Sequence, residues 1–323
     1  EIKFLCPCPG YDRHFAIAEY YKRILNMANT SLGYEGKVCV VTGASSGMGR
    51  ATVELLVALG AKVYALQRRD CDVPGIEKSI ATNLSDKDSI DAAFAQLPKH
   101  IDCFFGVAGL SGAKTDYMTT FHCDYTANWY ITETYLKERM SSGGSIVYVS
   151  STAGLNWLKY KKEEEGVLKA KTWKQVEKSV AKLAKISPST FAYMYAKRCI
   201  SYYAAKQSVE LGKLGIRVNN VMPGSTDTGM KDEFEKMAGG EEALLKEAGT
   251  AGRLATSEEM AWPIVFLGSP VASFVSGVEF NVDSADTMMK KLKLKRDVEA
   301  IPITNKLVIK AAGMAMKKQG RAE

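Results

Sequence analysis

No stretch of this chain is apolar for long enough to cross a bilayer, which removes a transmembrane helix from consideration. Zinc chemistry lacks its ligands: Cys6 and Cys8 stand close together, but no second pair completes a set. The seven cysteines are otherwise scattered, mostly in apolar or helical contexts, and read as the reduced thiols of a cytoplasmic protein. A nucleic-acid partner would want basic residues beside exposed aromatics or a recognisable reader motif, and neither is present. The net charge of +7 is modest for 323 residues. Its lysine clusters, 159–185 and 290–296, read as solvated helix faces, although a basic surface also favours anionic substrates. The chain starts at Glu1 rather than Met, which leaves an upstream targeting segment open.

What is present is a chain with 46% hydrophobic residues, able to bury a sizeable core. It is organised around Thr42-Gly43-Ala44-Ser45-Ser46-Gly47-Met48-Gly49. Upstream, 38–41 is a continuous apolar run, the pattern of a strand buried on both faces. Downstream, Ala51, Leu55, Ala58 and Leu59 recur at helical spacing, with Gly60 as a stop. A glycine turn between a buried strand and a helix aims unpaired N–H groups and the positive end of the helix dipole at one space, where a phosphate can sit. A glycine turn is also a cheap way to reverse a chain.

The spacing is TGxxxGxG, which resembles the short-chain dehydrogenase/reductase family, and the rest of that pattern follows in order. Strands are expected at 62–66, near 80–82, at 101–106, 145–150 and 216–222, alternating with helices that include 126–140. Gly106-Val107-Ala108-Gly109 stands where the family has Asn-Asn-Ala-Gly. Ser151 follows the fifth strand, and Tyr193 and Lys197 form a Tyr-x-x-x-Lys match. Tyr195 is a decoy, because Cys199 stands four residues after it. Pro223-Gly224 with Thr226 and Thr228 is similar to the family's Pro-Gly-x-x-x-Thr over the nicotinamide. The resemblance covers 36–285 and implies a doubly wound parallel α/β sheet (Rossmann) in a single domain. Residues 1–35 form an N-terminal extension with an amphipathic helix ending near Asn29, and 286–323 form a basic tail with a helix through Leu307, Ala311 and Ala315.

Residues 159–188 are an insertion. Trp173, Val176, Val180, Leu183 and Ala184 make one apolar stripe among its lysines, and Pro188 closes it. This most resembles the hydroxysteroid dehydrogenase/carbonyl reductase branch. Because the family commonly associates through the helices that carry Asn128 and Tyr193, the stripe is expected to form a lid over the pocket or a subunit interface in a homo-oligomer.

The resemblance implies an oxidoreductase that interconverts a ketone and a secondary alcohol. The phosphates would lie on Gly43, Ser45, Ser46, Gly47 and Met48. The adenine would lie against Asn83 and Leu84, and the nicotinamide side near Ala108, Gly109, Pro223, Gly224, Thr226 and Thr228. At the end of the second strand an acid would bind ribose hydroxyls and an arginine would take a 2′-phosphate. Gln67 holds the acid's place, followed by Arg68 and Arg69, so NADP(H) is favoured over NAD(H). Asp70 is expected to pair with an arginine.

A free phenol ionises near ~10. Lys197 lies one helical turn from Tyr193, on the same face, and its charge favours the phenolate. Tyr193 is thus the proton donor and acceptor, and Ser151 binds the substrate oxygen. The role of Asn128, a water relay to Lys197, is implied by the resemblance alone. Leu155, Trp157, Leu158, Met194, Met230, Phe234 and Met237 are expected to border the pocket. They suit a bulky apolar substrate such as a hydroxysteroid or bile acid. The alternatives are carbonyl or 3-oxoacyl reduction, or a non-catalytic NADP-binding scaffold or sensor. Intact Ser151, Tyr193 and Lys197 argue against the last two.

Overall fold

The structure is a computed structural model that describes residues 32–297 and 301–318. The amphipathic pattern at 15–28 and the Cys6/Cys8 pair lie outside the described residues. Seven strands form one parallel sheet in the order β3-β2-β1-β4-β5-β6-β7. They are β1 (Val38–Thr42), β2 (Lys62–Gln67), β3 (Lys78–Ala81), β4 (Cys103–Gly106), β5 (Ser145–Val149), β6 (Arg217–Pro223) and β7 (Glu279–Val282). The apolar runs are continuous because both faces are covered. Within β4, Phe104 packs into one hydrophobic cluster and Phe105 into the other. The strand order reverses between β1 and β4, which places the ligand crevice at their carboxyl ends.

The first helix (Gly47–Ala58) and the helix Ser257–Gly268 cover one face. Thr256 and Glu259 close the second of these helices with a reciprocal capping box. On the other face lie a helix over 117–139 and the long helix Ser189–Gly212. The helix over 117–139 starts nine residues before the expected 126 and holds two π-turns, His122–Thr126 and Thr132–Leu136. The helix Lys87–Phe94 is capped by Asp86, whose carboxylate accepts the Asp88 N–H at 3.0 Å.

The insertion forms two helices, Trp157–Leu168 and Trp173–Ala184. Its stripe is buried on the chain's own body. Val176 and Val180 are wholly buried in the cluster formed with the 117–139 and Ser189–Gly212 helices. Trp173 stacks on His122 at 4.7 Å between centroids and meets Tyr130 edge-on at 5.7 Å. Lys174, Lys178 and Lys182 face solvent as expected. The first insertion helix is tied to the long helix: the Tyr195 hydroxyl donates to the Glu163 carbonyl at 2.9 Å, and the Arg198 guanidinium lies 4.4 Å from the Tyr160 ring centre. The insertion is therefore no lid, and the face expected for association is occupied from within. In the tail, the helix Lys306–Lys318 runs through the expected positions, but the side chain it buries is Ile309 while Leu307 stays exposed.

Candidate active site

At the β1 turn, Gly43 adopts a left-handed φ of +72°, and a Cβ there would lie 2.8 Å from Ala108 Cα. A Cβ at Gly49 would run into the Gly43 carbonyl. The bare Gly43 lets the turn after β1 and the loop after β4 approach one another closely, and the bare Gly49 lets the first helix start against that same turn. Thr42 fixes the approach: its hydroxyl accepts the N–H groups of Val107 at 3.0 Å and Ala108 at 3.2 Å. Thr42 belongs to the site in a structural sense that the motif spacing did not reveal.

The result is a cleft of about 580 Å³ lined by Gly43, Ser45, Ser46, Gly47, Met48 and Arg68. Gln67, Asn83, Leu84, Ala108 and Gly109 line it too. It meets a second cavity of about 550 Å³, with Met48, Val107, Gly109, Thr228 and Met230 shared by both walls. The second cavity holds Ser151, Tyr193, Lys197, Pro223, Gly224 and Thr226. The expected cofactor and reacting residues, Asn128 apart, thus line one continuous space.

The residues at the end of β2 behave differently from one another. Gln67 is buried, and its amide donates to the Ser79 hydroxyl at 2.7 Å, leaving Oε1 without a partner. Arg69 reaches back to the Ser46 hydroxyl at 3.4 Å. Asp70 does not pair with an arginine. Its carboxylate accepts the Ser79 hydroxyl at 2.5 Å and the Cys71 N–H at 3.0 Å, because the strand end folds it back onto β3. The arginine partner in this region is Asp72, which Arg50 holds below the usual carboxylate range. Among the described residues the one carboxylate that lines the cleft is Glu233, which Lys114 and Ser111 engage, and Arg68 and Arg69 stand on the same lining, which suits a bound phosphate.

Lys197 is almost fully buried and donates to the Val149 carbonyl at 3.0 Å. Its ammonium lies 5.4 Å from the centre of the Tyr193 ring, one turn back on the same helix. Under this pair, Ser150 and Ser201 both donate to the Lys197 carbonyl, at 2.8 and 2.9 Å, which fixes the helix on β5. The Ser151 hydroxyl accepts the Ala153 N–H at 3.2 Å, so its oxygen is held while its proton is left to donate. Tyr193 meets Phe234 edge-on at 5.5 Å. Tyr195 is buried against Phe121, and burial pushes its phenol well above the usual range, as a decoy requires.

Asn128 is not brought to Lys197 by any described contact. Its amide donates to the Asp124 carbonyl at 3.3 Å, one turn back, and its Oδ1 fills the space a Cβ at Gly106 would take. The polar group that the helix turns toward Lys197 is Asp124, one turn earlier. Sequence reasoning missed it, because Asp124 lies on the same helical face four residues before Asn128 but belongs to no motif.

The cavity wall corrects the expected pocket. Met230, Phe234 and Met237 line it, joined by Leu244. Leu155, Trp157, Leu158 and Met194 do not. Leu158 is 68% exposed, Met194 packs against the core, and Trp157 meets Tyr202 edge-on at 5.5 Å while bonding Glu279. Glu233, on the helix Lys231–Ala238, bonds Ser111 and pairs with Lys114 at 2.8 Å, which pins the wall helix to the loop after β4.

The described residues fit a nicotinamide dinucleotide: a backbone cradle free of Cβ atoms, an unpartnered Gln67 oxygen, and guanidinium groups at the far end. Such a cofactor, when bound, supplies hydride transfer. Beside it the arrangement can bind a substrate carbonyl at the Ser151 hydroxyl, exchange a proton at the Tyr193 oxygen and keep the Lys197 charge close by.

Comparison with known proteins gives the same outline. A profile of the family described as short chain dehydrogenase matches residues 37–161. A second, described as Enoyl-(Acyl carrier protein) reductase, matches residues 174–284. The chain is 31% identical over 256 residues to a coniferyl-alcohol dehydrogenase of Pseudomonas sp., covering 76% of this chain and 95% of that protein. It is 24% identical to a 3-alpha-hydroxysteroid dehydrogenase/carbonyl reductase of Comamonas testosteroni, covering 78% and 98%. The 3-alpha-hydroxysteroid dehydrogenase from Pseudomonas sp. B-0831, solved in complex with NADH, superposes with a TM-score of 0.65 at 22% identity, covering 81% and 100%. At that identity the likeness bears on the fold.

Proposed function

This chain belongs to the short-chain dehydrogenase family, and on that premise we propose that it is an NADP(H)-dependent enzyme interconverting a ketone and a secondary alcohol on a bulky, largely apolar substrate. One observation carries the reading. Ser151, Tyr193 and Lys197 meet in a cavity walled by Met230, Phe234, Met237 and Leu244, which opens onto a glycine-lined cleft. Lys231, Lys246 and Lys290 stand on the same wall beside Glu247 and Asp286, with Lys246 paired to Glu242 at 3.0 Å and Lys290 to Asp286 at 2.8 Å. An apolar body with an anionic end, as in a bile acid, suits that lining. The lysines equally support a 3-oxoacyl thioester as a second reading.

A coupled assay over steroids, bile acids, coniferyl alcohol, sugars and 3-oxoacyl thioesters tests the substrate class. Turnover confined to the sugars would sink the reading. The cofactor preference rests on Gln67 in the acid's place and on Arg68 and Arg69 beside it. NADP(H) should bind at least about tenfold more tightly than NAD(H), the worth of one charge-assisted hydrogen bond. Arg68→Ala combined with Arg69→Ala should erase the difference in a fluorescence titration. Equal affinities in the wild type would refute the assignment.

A reducing, cytoplasmic setting belongs to the same proposal, supported by five buried free cysteines among the described residues. So does self-association, through the β7 side. There Phe266, Val271, Phe274 and Phe280 are exposed, whereas the face of the long helices is covered. Sizing with light scattering tests it.

A further inference from the structure

Asp124 is a fully buried acid on the first π-turn of the 117–139 helix that the proton chemistry above leaves unused. Its Oδ1 accepts the Leu110 N–H at 2.8 Å, which ties the helix to the loop after β4. Its Oδ2 has no hydrogen-bond partner among the described residues. A buried carboxylate oxygen without a partner is costly, so the position calls for a reason beyond packing. The reason lies across Gly109. A Cβ at Gly109 would stand 3.4 Å from Lys197 Nζ and 3.6 Å from Asp124 Oδ1, so ammonium and carboxylate face one another over a single bare stretch of backbone. The ammonium is the only side-chain cation among the groups that act directly on Asp124.

We propose that Asp124 is a positioning residue: its buried carboxylate, across Gly109 from the Lys197 ammonium, offsets part of that charge and thereby sets the pH at which the Tyr193 phenol gives up its proton. The proposal rests on the reading of Tyr193 and Lys197 given above. Asp124 lies behind the cofactor cleft wall, bonded to the cleft-lining Leu110, lines neither the cleft nor the cavity itself, and acts through Lys197. The groups that face it are Lys197 from the Ser189–Gly212 helix and the Cys123 thiol on its own turn, with Arg68 from the end of β2 acting on that thiol. The loop after β4 contributes only the Leu110 N–H. Burial pushes the Asp124 carboxyl up to about 6, while Lys197, the Leu110 N–H and Cys123 favour its charge. Near neutral pH it is therefore largely ionised, and it offsets part of the positive charge that would otherwise favour the Tyr193 phenolate.

The physical consequence has a sign. Removing the negative charge while keeping an acceptor for the Leu110 N–H leaves Lys197 uncompensated, and the phenolate becomes easier to form. Asp124→Asn should therefore lower the Tyr193 titration midpoint by about half a unit or more. The midpoint is read as the phenolate ultraviolet absorbance of the protein minus that of its Tyr193→Phe counterpart, first without cofactor and again with NADP⁺. Asp124→Ser also keeps an acceptor without a charge and must move the midpoint in the same direction. It serves in place of the asparagine variant should that one not fold. A midpoint that stays put or rises in a folded variant, even one with an altered melting temperature, overturns the proposal and leaves Asp124 as a loop anchor. Because this readout needs no turnover, it separates from a failure of the catalytic reading itself. That failure would show as unchanged activity in Tyr193→Phe.

Discussion

Tyr193→Phe is expected to lower turnover by about 10²–10⁴-fold, the usual worth of a positioned proton donor, while cofactor affinity stays close to wild type. The substitution removes one hydroxyl and keeps the ring, so the edge-on contact with Phe234 at 5.5 Å survives. The Lys197 ammonium, held on the Val149 carbonyl at 3.0 Å, loses none of its backbone support. Any loss therefore belongs to the proton step rather than to folding. Steady-state kinetics in both directions, with a melting temperature as control, make the measurement. Near-wild-type turnover with normal cofactor binding would show that another group moves the proton.

How far this arrangement was legible in the chain depended on which physical signal each residue left. The strands were plain because continuous apolar runs such as Val40-Val41 and Phe104-Phe105 have no other home than a doubly covered sheet. Ser151, Tyr193 and Lys197 were plain because they fall in order at strand and helix ends. Tyr195 was separable from Tyr193 by spacing, and the structure buries it. Asp124 left no such signal. It stands four residues before Asn128 on the same helical face, yet no motif names it, and a lone acid in a helix reads as solvated until the fold buries it. A family pattern that supplies an asparagine drew attention to Asn128, whose amide instead bonds the Asp124 carbonyl one turn back. The insertion was half legible. Its stripe at helical spacing required burial but carried no information about the surface that would bury it.

That surface makes the second large effect. Val180→Asp should destabilise the protein by about 3 kcal/mol or more, because it puts an unpaired carboxylate where the side chain has no solvent exposure at all. Trp173→Asp should act in the same direction by removing the stack on His122 and the edge-on contact with Tyr130. Had the stripe been a subunit interface, either change would lower the oligomer mass and leave the monomer fold intact. Had it been a lid, either would raise KM. Neither route is open, because Val176 and Val180 pack on the chain's own helices and no residue of 157–184 lines the cleft or the cavity. Lys178→Asp, on the solvent side of the same helix, is the control, expected to stay within about 0.5 kcal/mol of wild type. Thermal unfolding followed beside light scattering and steady-state kinetics distinguishes the three cases. A Val180→Asp protein that melted like wild type but changed its mass or its KM would place the insertion at an interface or over the pocket. A large drop in melting temperature, with the mass and KM of the remaining folded protein unchanged, is the result the packing requires.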